Sequence, residues 1–585
     1  MFKLAKRYLG AFKKEVIIGQ TSKLIEAIFE VIVPLIMANI VDIGINGGAG
    51  KPYIYKMGGI LVLLGVLGLC FALICQYLAS KASQGVGTVM RNDMFRHINS
   101  FSHAELDRIG TPSLITRLTN DINQVQAAVA MYIRLVVRAP FIVIGSAVMA
   151  LSIDVKLSAV FLVIIPLVAV ILYFIMSRSI KYYRVIQKKL DRISLVTREG
   201  LSGVRVIRAF ARRDTEQERF DEANDDYLRI SLNVGKLSAL LNPMTYAVLN
   251  LAIAAIVWFG GFRVNIGDLT QGEVIAFVNY MTQISLALVV VANLVVLFTK
   301  AAASAGRINE VLEIQPSVEN GSCKESLDGD IAVKFENVYF SYNGSGEYAL
   351  ENINFTAKKG ETIGIIGGTG SGKSTLVNLI PRFYDISKGT LEIGGRDIKS
   401  YDTSALRKKI GTVPQKAVLF SGTIAENMRW GKPDATDEEI LSALKTAQAE
   451  EFVNKMPEGI QTHISQGGKN ISGGQKQRLT IARALISRPD ILILDDSASA
   501  LDFATDAALR KAIKRDTDNM TVFIVSQRSN SIRHADKIIV LDDGIQVGCG
   551  THGQLLRECP VYREICSSQL TAAEIEEQAR EGESI

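Results

Sequence analysis

Gly364-Ile-Ile-Gly-Gly-Thr-Gly-Ser-Gly-Lys-Ser-Thr375 is the stretch that decides how the rest of the chain is read. It contains Gly367-x4-Gly372-Lys373-Ser374, the spacing of a phosphate-binding loop. The apolar run Thr362 to Ile366 before it reads as a buried strand. The segment Ser374-Thr-Leu-Val-Asn-Leu-Ile after it reads as a helix. Glycines let backbone N–H groups curl around phosphate oxygens, and the start of a helix adds partial positive charge. Within Gly367, Gly368, Thr369, Gly370, Ser371, Gly372, Lys373, Ser374 and Thr375, the ammonium of Lys373 is expected at the β- and γ-phosphates. The Ser374 hydroxyl is expected on Mg²⁺.

Upstream of this loop the composition changes. The chain has 585 residues, 48% of them hydrophobic and 21% charged, with a net charge of +6. Its mean hydropathy of +0.21 is high for that charge content, and the excess lies almost wholly before residue 300. Four stretches carry no charge over a bilayer-crossing length: Met57–Ser80, Leu157–Ser177, Leu237–Phe262 and Val274–Thr299. Two further candidates run over 16–40, with Lys23, Glu26 and Glu30, and over 125–153, with Arg134 and Arg138. Six spans put both ends of the membrane part on one side. Lys and Arg number five in residues 1–14, five in 81–130 and fourteen in 178–236, whereas the opposite loops hold only Lys51, Lys56, Lys156 and Arg263. The positive-inside rule then assigns the N-terminus, both long connections and everything after Lys300 to the cytoplasm.

The connections 81–130 and 178–236 are polar and helix-compatible, so helices leaving the membrane are expected to extend into the cytosol and turn near Leu106–Ser113 and Phe210–Thr215. Ordinary folded loops remain the alternative. Lys23, Glu26 and Glu30 share one helix face. They read either as a polar strip on a substrate path, Glu30 being deepest, or as a Lys23–Glu26 pair near the interface. Arg134 and Arg138, four residues apart, read as ligands for an anionic substrate or as side chains reaching to headgroups. The six cysteines follow neither a disulfide nor a zinc spacing. No short apolar core with a small-residue cleavage site follows the basic N-terminus, so no removable signal peptide is expected. No protease-like extension is read ahead of the first span, so cleavage-coupled peptide export is not expected.

Beyond residue 330 the pattern is strand–turn–helix. Lys334–Tyr342 and Thr390–Ile393 alternate, and Ile491–Leu494, Val522–Val525 and Ile538–Leu541 are short buried runs suited to a central sheet. Asp495 ends one of them, well placed to hold Mg²⁺ directly or through water. The chain is therefore expected to be an α-helical transmembrane domain of six helices over 1–312, a linker over 313–330, an α/β nucleotide-binding domain over 331–569, and an acidic tail over 570–585 that reads as disordered.

Further motifs carry a resemblance. Ile471-Ser472-Gly473-Gly474-Gln475 looks like the signature motif of ATP-binding cassette (ABC) transporters. Tyr342 resembles the aromatic that stacks on adenine, and Gln415 resembles the Q-loop glutamine that touches Mg²⁺. Asp495-Asp496-Ser-Ala-Ser-Ala-Leu-Asp502 resembles the Walker B strand end and D-loop. Arg117–Asp121 and Glu199–Phe210 look like the family's intracellular-loop segments. Six spans ahead of one cassette resemble a half-transporter of the exporter type. The resemblance implies a head-to-tail cassette dimer binding ATP and Mg²⁺, with Ser374, Gln415 and Asp495 at the metal and Ser472, Gly473, Gly474 and Gln475 acting on a partner's nucleotide.

Two positions depart from the family pattern. Asp496 stands where the family has a glutamate that polarises the attacking water, and its carboxylate is set back by roughly 1.5 Å, one carbon–carbon bond. Gln527 stands where the family has the switch-loop histidine; it can donate a hydrogen bond but cannot become cationic. Gln466 also replaces a usual glutamate, and His534 reads as an ordinary surface residue. These departures imply a hydrolytically impaired site and a heterodimer with a homologous subunit that carries the consensus residues. The cargo expected is hydrophobic or amphipathic (drugs, lipids or peptides), with a bacterial plasma membrane as the location and no nucleic-acid partner. A homodimeric lipid flippase, a siderophore-type importer on an exporter frame and an ATP-gated channel or sensor stay open as alternatives.

Overall fold

The computed structural model describes residues 7–325, 327, 329–342, 346–517 and 519–581. The chain divides into two compact units. One comprises Met1–Asn99 with Pro112–Ile314, and the other comprises Ser100–Thr111 with Gln315–Ile585.

The membrane unit is helical among its described residues. Six helices are long and apolar enough to cross a bilayer: Arg7–Asn46, Gly50–Asn99, Thr111–Ile153, Val155–Ser202, Arg213–Ile266 and Gln271–Glu313. Each of the six expected spans falls inside one of them. The excess length is the expected extension: the unbroken helix Gly50–Asn99 has 50 residues, or about 75 Å at 1.5 Å per residue, far beyond the ~30 Å of hydrocarbon. Residues such as Val62, Leu162 and Leu251 point outward and are more than two-thirds exposed, as suits helices whose solvent is lipid. Polar caps start the helices. Asp154 accepts from the Leu157 amide at 2.6 Å, and Thr270 and Glu273 form a reciprocal capping box. Gly272 is required where the sixth span meets the first, because a Cβ there would lie 2.3 Å from the Ala38 carbonyl oxygen.

The segment Arg117–Asp121 is a short π-helix. Asp121 is buried and paired with Arg307, and Arg117 pairs with Glu310 at 2.9 Å. This stretch therefore locks the third helix to the sixth.

The second unit takes in twelve residues from between the spans. The helix His103–Ile109 starts at a Ser102–Glu105 capping box. The His103 ring stacks on Phe383 at 4.3 Å, and the Tyr384 hydroxyl donates to Asp107 at 2.6 Å. Glu105 is buried and also accepts from the Ser317 amide. The domain boundary read from composition missed this, since a short polar turn carries no sign of what it packs against.

Among the described residues the unit's larger sheet has ten strands. Its centre is parallel: Lys537–Asp542, Thr362–Gly367, Thr521–Val525, Ile491–Asp495 and Ile410–Val413 lie side by side in that order. These strands are nearly all buried, which is why they read as continuous apolar runs. Ile331–Phe340 pairs antiparallel with Leu350–Lys358 and Lys388–Ile393, extending the sheet. The segment read as a linker is stitched to this unit. The Gly321 amide donates to the Tyr401 carbonyl at 3.0 Å, and Asn320 bonds to Asp402 and Thr403.

The tail differs from expectation. Ala572–Glu581 is a helix, not a disordered segment. Its Ile575 and Ala579 pack against the unit's core, and Gln578 bonds to His552. Average acidity concealed two apolar residues four apart, enough for one buried helix face. Residues 582–585 of the expected tail lie outside the described residues.

Candidate functional site

The strand Thr362–Gly367 ends under the phosphate loop, and the helix Lys373–Leu379 follows it. Gly370 and Gly372 take φ of 87° and 91°, a left-handed conformation that an L side chain resists. A Cβ at Gly372 would also lie 2.8 Å from Leu350 Cδ2, whereas Gly368 and Gly370 have open space where a Cβ would stand. The loop therefore presents bare backbone on one side and packs tightly on the other. Lys373 Nζ donates to the Gly367 carbonyl at 2.9 Å, to Ser371 Oγ at 3.3 Å and to the Gly368 carbonyl. Burial pushes the Lys373 ammonium below its ordinary range, with Asp496 and Asp495 opposing.

A cavity of about 360 Å³ opens at this loop, within the size range of small-ligand pockets. Its wall includes Tyr342, Thr369, Gly370, Gly372 and Lys373 on one side, then Ser374, Thr375, Gln415, Asp495, Asp496 and Gln527. Ser374 Oγ donates to Asp495 Oδ1 at 3.0 Å. Burial, then Asp496, push the Asp495 carboxyl above its ordinary range; the Ser374 hydrogen bond and Lys373 oppose. A hydroxyl and a carboxylate held together at the edge of a phosphate cradle fit Mg²⁺, which takes few protein oxygens and completes its shell with phosphate and water. Gln415, the third expected metal ligand, lines the same wall and donates from Nε2 to Asp496 Oδ2 at 3.2 Å. Asp496 sits just past the strand Ile491–Asp495 with a φ of 44°. Tyr342 is 49% exposed, its hydroxyl is 2.9 Å from Thr375 Oγ1, and Phe340 and Tyr384 meet its ring edge-on.

Four wall residues escaped the sequence reading: Tyr348, Ala349, Asp543 and Gly544. The last two turn the chain between Lys537–Asp542 and Ile545–Gly550. An Asp-Gly pair between two strand-like runs was the signal available for them.

Ser472, Gly473, Gly474 and Gln475 do not line the cavity. Ser472 caps the helix Gly473–Leu485, accepting from the Gln475 amide at 3.3 Å, while Gln475 Oε1 accepts from the Ser472 amide at 2.9 Å. The first turn of this helix is thus ordered and open, and Ser472 and Gly473 are exposed. His534 is exposed beside Arg533 and lies away from the cavity wall.

In the membrane unit, Lys23 pairs with Glu26 at 2.6 Å. Glu30 pairs with Arg138 at 2.7 Å, and Arg134 donates to Ser80 Oγ at 3.0 Å. The Lys23–Glu26 pair considered from the sequence is present, and Glu30 and Arg138 carry opposite charges in contact. An apolar cavity of about 670 Å³ lies among Val86, Met90, Val129, Tyr132 and Phe298.

Residues 16–288 match the family model described as the ABC transporter transmembrane region, and residues 350–499 match the one described as ABC transporter. A Mycobacterium tuberculosis protein named as an uncharacterized ABC transporter ATP-binding protein is 38% identical over 579 residues, 98% of this chain and 99% of the relative. A Bacillus subtilis protein, named provisionally as a multidrug export ATP-binding/permease protein, is 32% identical over 96% of this chain and 99% of its own length. The solved structure of a bacterial Atm1-family ABC exporter with ATP bound superposes with a TM-score of 0.80 at 22% identity, covering 97% of this chain and all of that one. That last likeness is one of fold.

Proposed function

The chain belongs to the ABC transporter family, as an ATPase-coupled multi-pass membrane protein of the exporter type, and from that premise we propose that it is the weakly hydrolysing half of a heterodimeric exporter of hydrophobic or amphipathic cargo. The observation that carries this reading is the pair Asp496 and Gln527 on the wall of the phosphate-loop cavity. At that wall the family resemblance implies a glutamate and a histidine. The aspartate carboxylate is set back by about 1.5 Å, and such a displacement costs on the order of 10²-fold in rate. Glutamine at 527 donates a hydrogen bond but carries no charge.

In this reading the loop amides and Lys373 bind the phosphates, Tyr342 offers its exposed ring face to adenine, and Ser374 with Asp495 holds the metal. When bound, Mg²⁺ neutralises charge on the β- and γ-phosphates. Ser472 and the start of the helix Gly473–Leu485 serve the partner's nucleotide, which accounts for a capped, exposed helix start apart from the cavity of its own chain. The positive loops support a cytoplasmic ATP-binding unit in a plasma membrane. The apolar cavity in the membrane unit and the name of the Bacillus subtilis relative support hydrophobic cargo.

The test is ATPase activity in lipid nanodiscs, for the chain alone and mixed with a candidate partner half-transporter. Low turnover alone and high turnover only in the mixed complex is the expected result. Vigorous turnover by the chain alone removes the impaired site and leaves a homodimeric exporter.

A further inference from the structure

The loop that carries Gln527 is held from outside the cavity by one side chain. After the strand Thr521–Val525, the Ser526 amide donates to the Ile365 carbonyl at 3.0 Å, tying the loop to the phosphate-loop strand. The Arg528 amide donates to Ser526 Oγ at 2.9 Å. The Arg528 guanidinium lies over the Phe503 ring at 5.1 Å, next to the D-loop. The rest of the hold comes from Gln569, just after the helix Pro560–Ser567. Its Nε2 donates to the Gln527 carbonyl at 2.8 Å. Its Oε1 accepts from the Ser529 amide at 2.9 Å and from Ser529 Oγ at 3.2 Å. One amide therefore satisfies a main-chain acceptor and a main-chain donor two residues apart, which fixes both peptide planes around Arg528.

We propose that Gln569 is a positioning residue for nucleotide turnover: its amide sets the backbone on which Gln527 faces the terminal phosphate. It does not line the cavity, so its effect passes through the loop. The proposal rests on the reading of Gln527 as the phosphate-facing residue. Two features make the clamp rigid. The Gln569 amide donates to the Cys566 carbonyl at 2.9 Å, and Cys566 is fully buried. Ser529 is 1% exposed, so neither end of the clamp has freedom to drift. The helices that present Gln569 are themselves joined, since His552 meets Tyr562 at 2.7 Å and Gln578 at 2.9 Å. The C-terminal segment is thus built as a brace for the switch loop.

The experiment uses the full chain in nanodiscs, as wild type and in an Asp496→Glu/Gln527→His background. Each is combined with Gln569→Ala or Gln569→Glu, and the readouts are amide hydrogen exchange and ATPase kinetics. Gln569→Ala is expected to speed exchange at Ser529 by about 10-fold, from loss of one amide's hydrogen bonds. It should lower kcat by a similar factor with KM within about twofold. Gln569→Glu keeps the acceptor for Ser529 but turns a carboxylate oxygen toward the Gln527 carbonyl. It should retain slow exchange at Ser529, lose kcat, and recover part of it as pH falls and the carboxyl protonates. A purely structural anchor predicts that Gln569→Glu matches its parent at every pH, and that result overturns the proposal. So does unchanged exchange, or unchanged kcat, in Gln569→Ala. If the Asp496→Glu/Gln527→His background gains no activity, the impaired-site reading fails on its own, and the exchange measurement still decides the clamp.

Discussion

Replacing Asp496 by glutamate should raise the turnover of this chain about 100-fold. The backbone at this position is fixed on both sides. The Asp496 amide donates to the Val525 carbonyl at 3.0 Å, while its carbonyl accepts from the Ser499 amide at 3.2 Å and from Ser499 Oγ at 2.8 Å. Its φ of 44° lies in the left-handed region, which a non-glycine residue occupies at a cost and which these hydrogen bonds hold in place. An added methylene therefore lengthens the side chain without being absorbed by the main chain, carrying the carboxylate forward by roughly 1.5 Å. The present carboxylate stands back against Gln415 Nε2 at 3.2 Å. A 1 Å misplacement costs on the order of 10²-fold, or about 2.7 kcal/mol at 1.36 kcal/mol per decade. The assay is steady-state phosphate release in nanodiscs under saturating Mg-ATP, comparing wild type, Asp496→Glu, Gln527→His and the double variant. The two residues share one cavity, so the double variant should exceed the product of the single effects. A kcat for Asp496→Glu within twofold of wild type would show that carboxylate reach does not limit this site.

Three further outcomes follow from the geometry. Tyr342→Ala should weaken ATP binding about 10-fold, the equivalent of one aromatic contact, while Tyr342→Phe stays within about threefold; equal affinity for all three removes the adenine-stacking role. Glu30→Gln should destabilise the membrane unit by roughly 1–3 kcal/mol by leaving Arg138 uncompensated within a span, and Glu30→Gln/Arg138→Gln should recover most of it in thermal unfolding. Acid should destabilise the ATP-binding unit through its histidines. Burial, with Arg533 adding and the Gln578 hydrogen bond opposing, holds His552 below its ordinary range. Burial, then Arg407, does the same to His103 against Asp107. Both imidazoles fold in the neutral form, so the unfolded chain binds more protons. Their contribution is complete above about pH 6.5 and is lost as pH falls below it. The thermal midpoint should drop between pH 7.5 and pH 5.5, and a midpoint that rises contradicts the sign.

Sequence by itself determined the two-part architecture, the six spans and the phosphate loop, because each rests on a local pattern. Uncharged runs of bilayer length have one physical use, and the Gly367 to Ser374 spacing forces a turn that only glycines tolerate. Continuous apolar runs announced the buried strands of a central sheet, and the structure shows the centre of that sheet to be parallel. Sequence also singled out Asp496 and Gln527, one and two residues beyond a legible strand, and both line the phosphate-loop cavity. What it left open depended on partners distant along the chain. Whether Glu30 is free or paired turned on Arg138, more than a hundred residues away. The membership of Ser100–Thr111 in the second unit turned on a ring stacked on Phe383. That the Gln415 amide donor meets the Asp496 carboxylate likewise turned on residues about eighty apart. The acidic tail read as disordered because composition averages over a helix, whereas burial counts only the face that packs. Side-chain hydrogen bonds and ion pairs are short-ranged and directional, so tertiary structure alone decided which of the legible residues meet, including the clamp from Gln569 to the loop that carries Gln527.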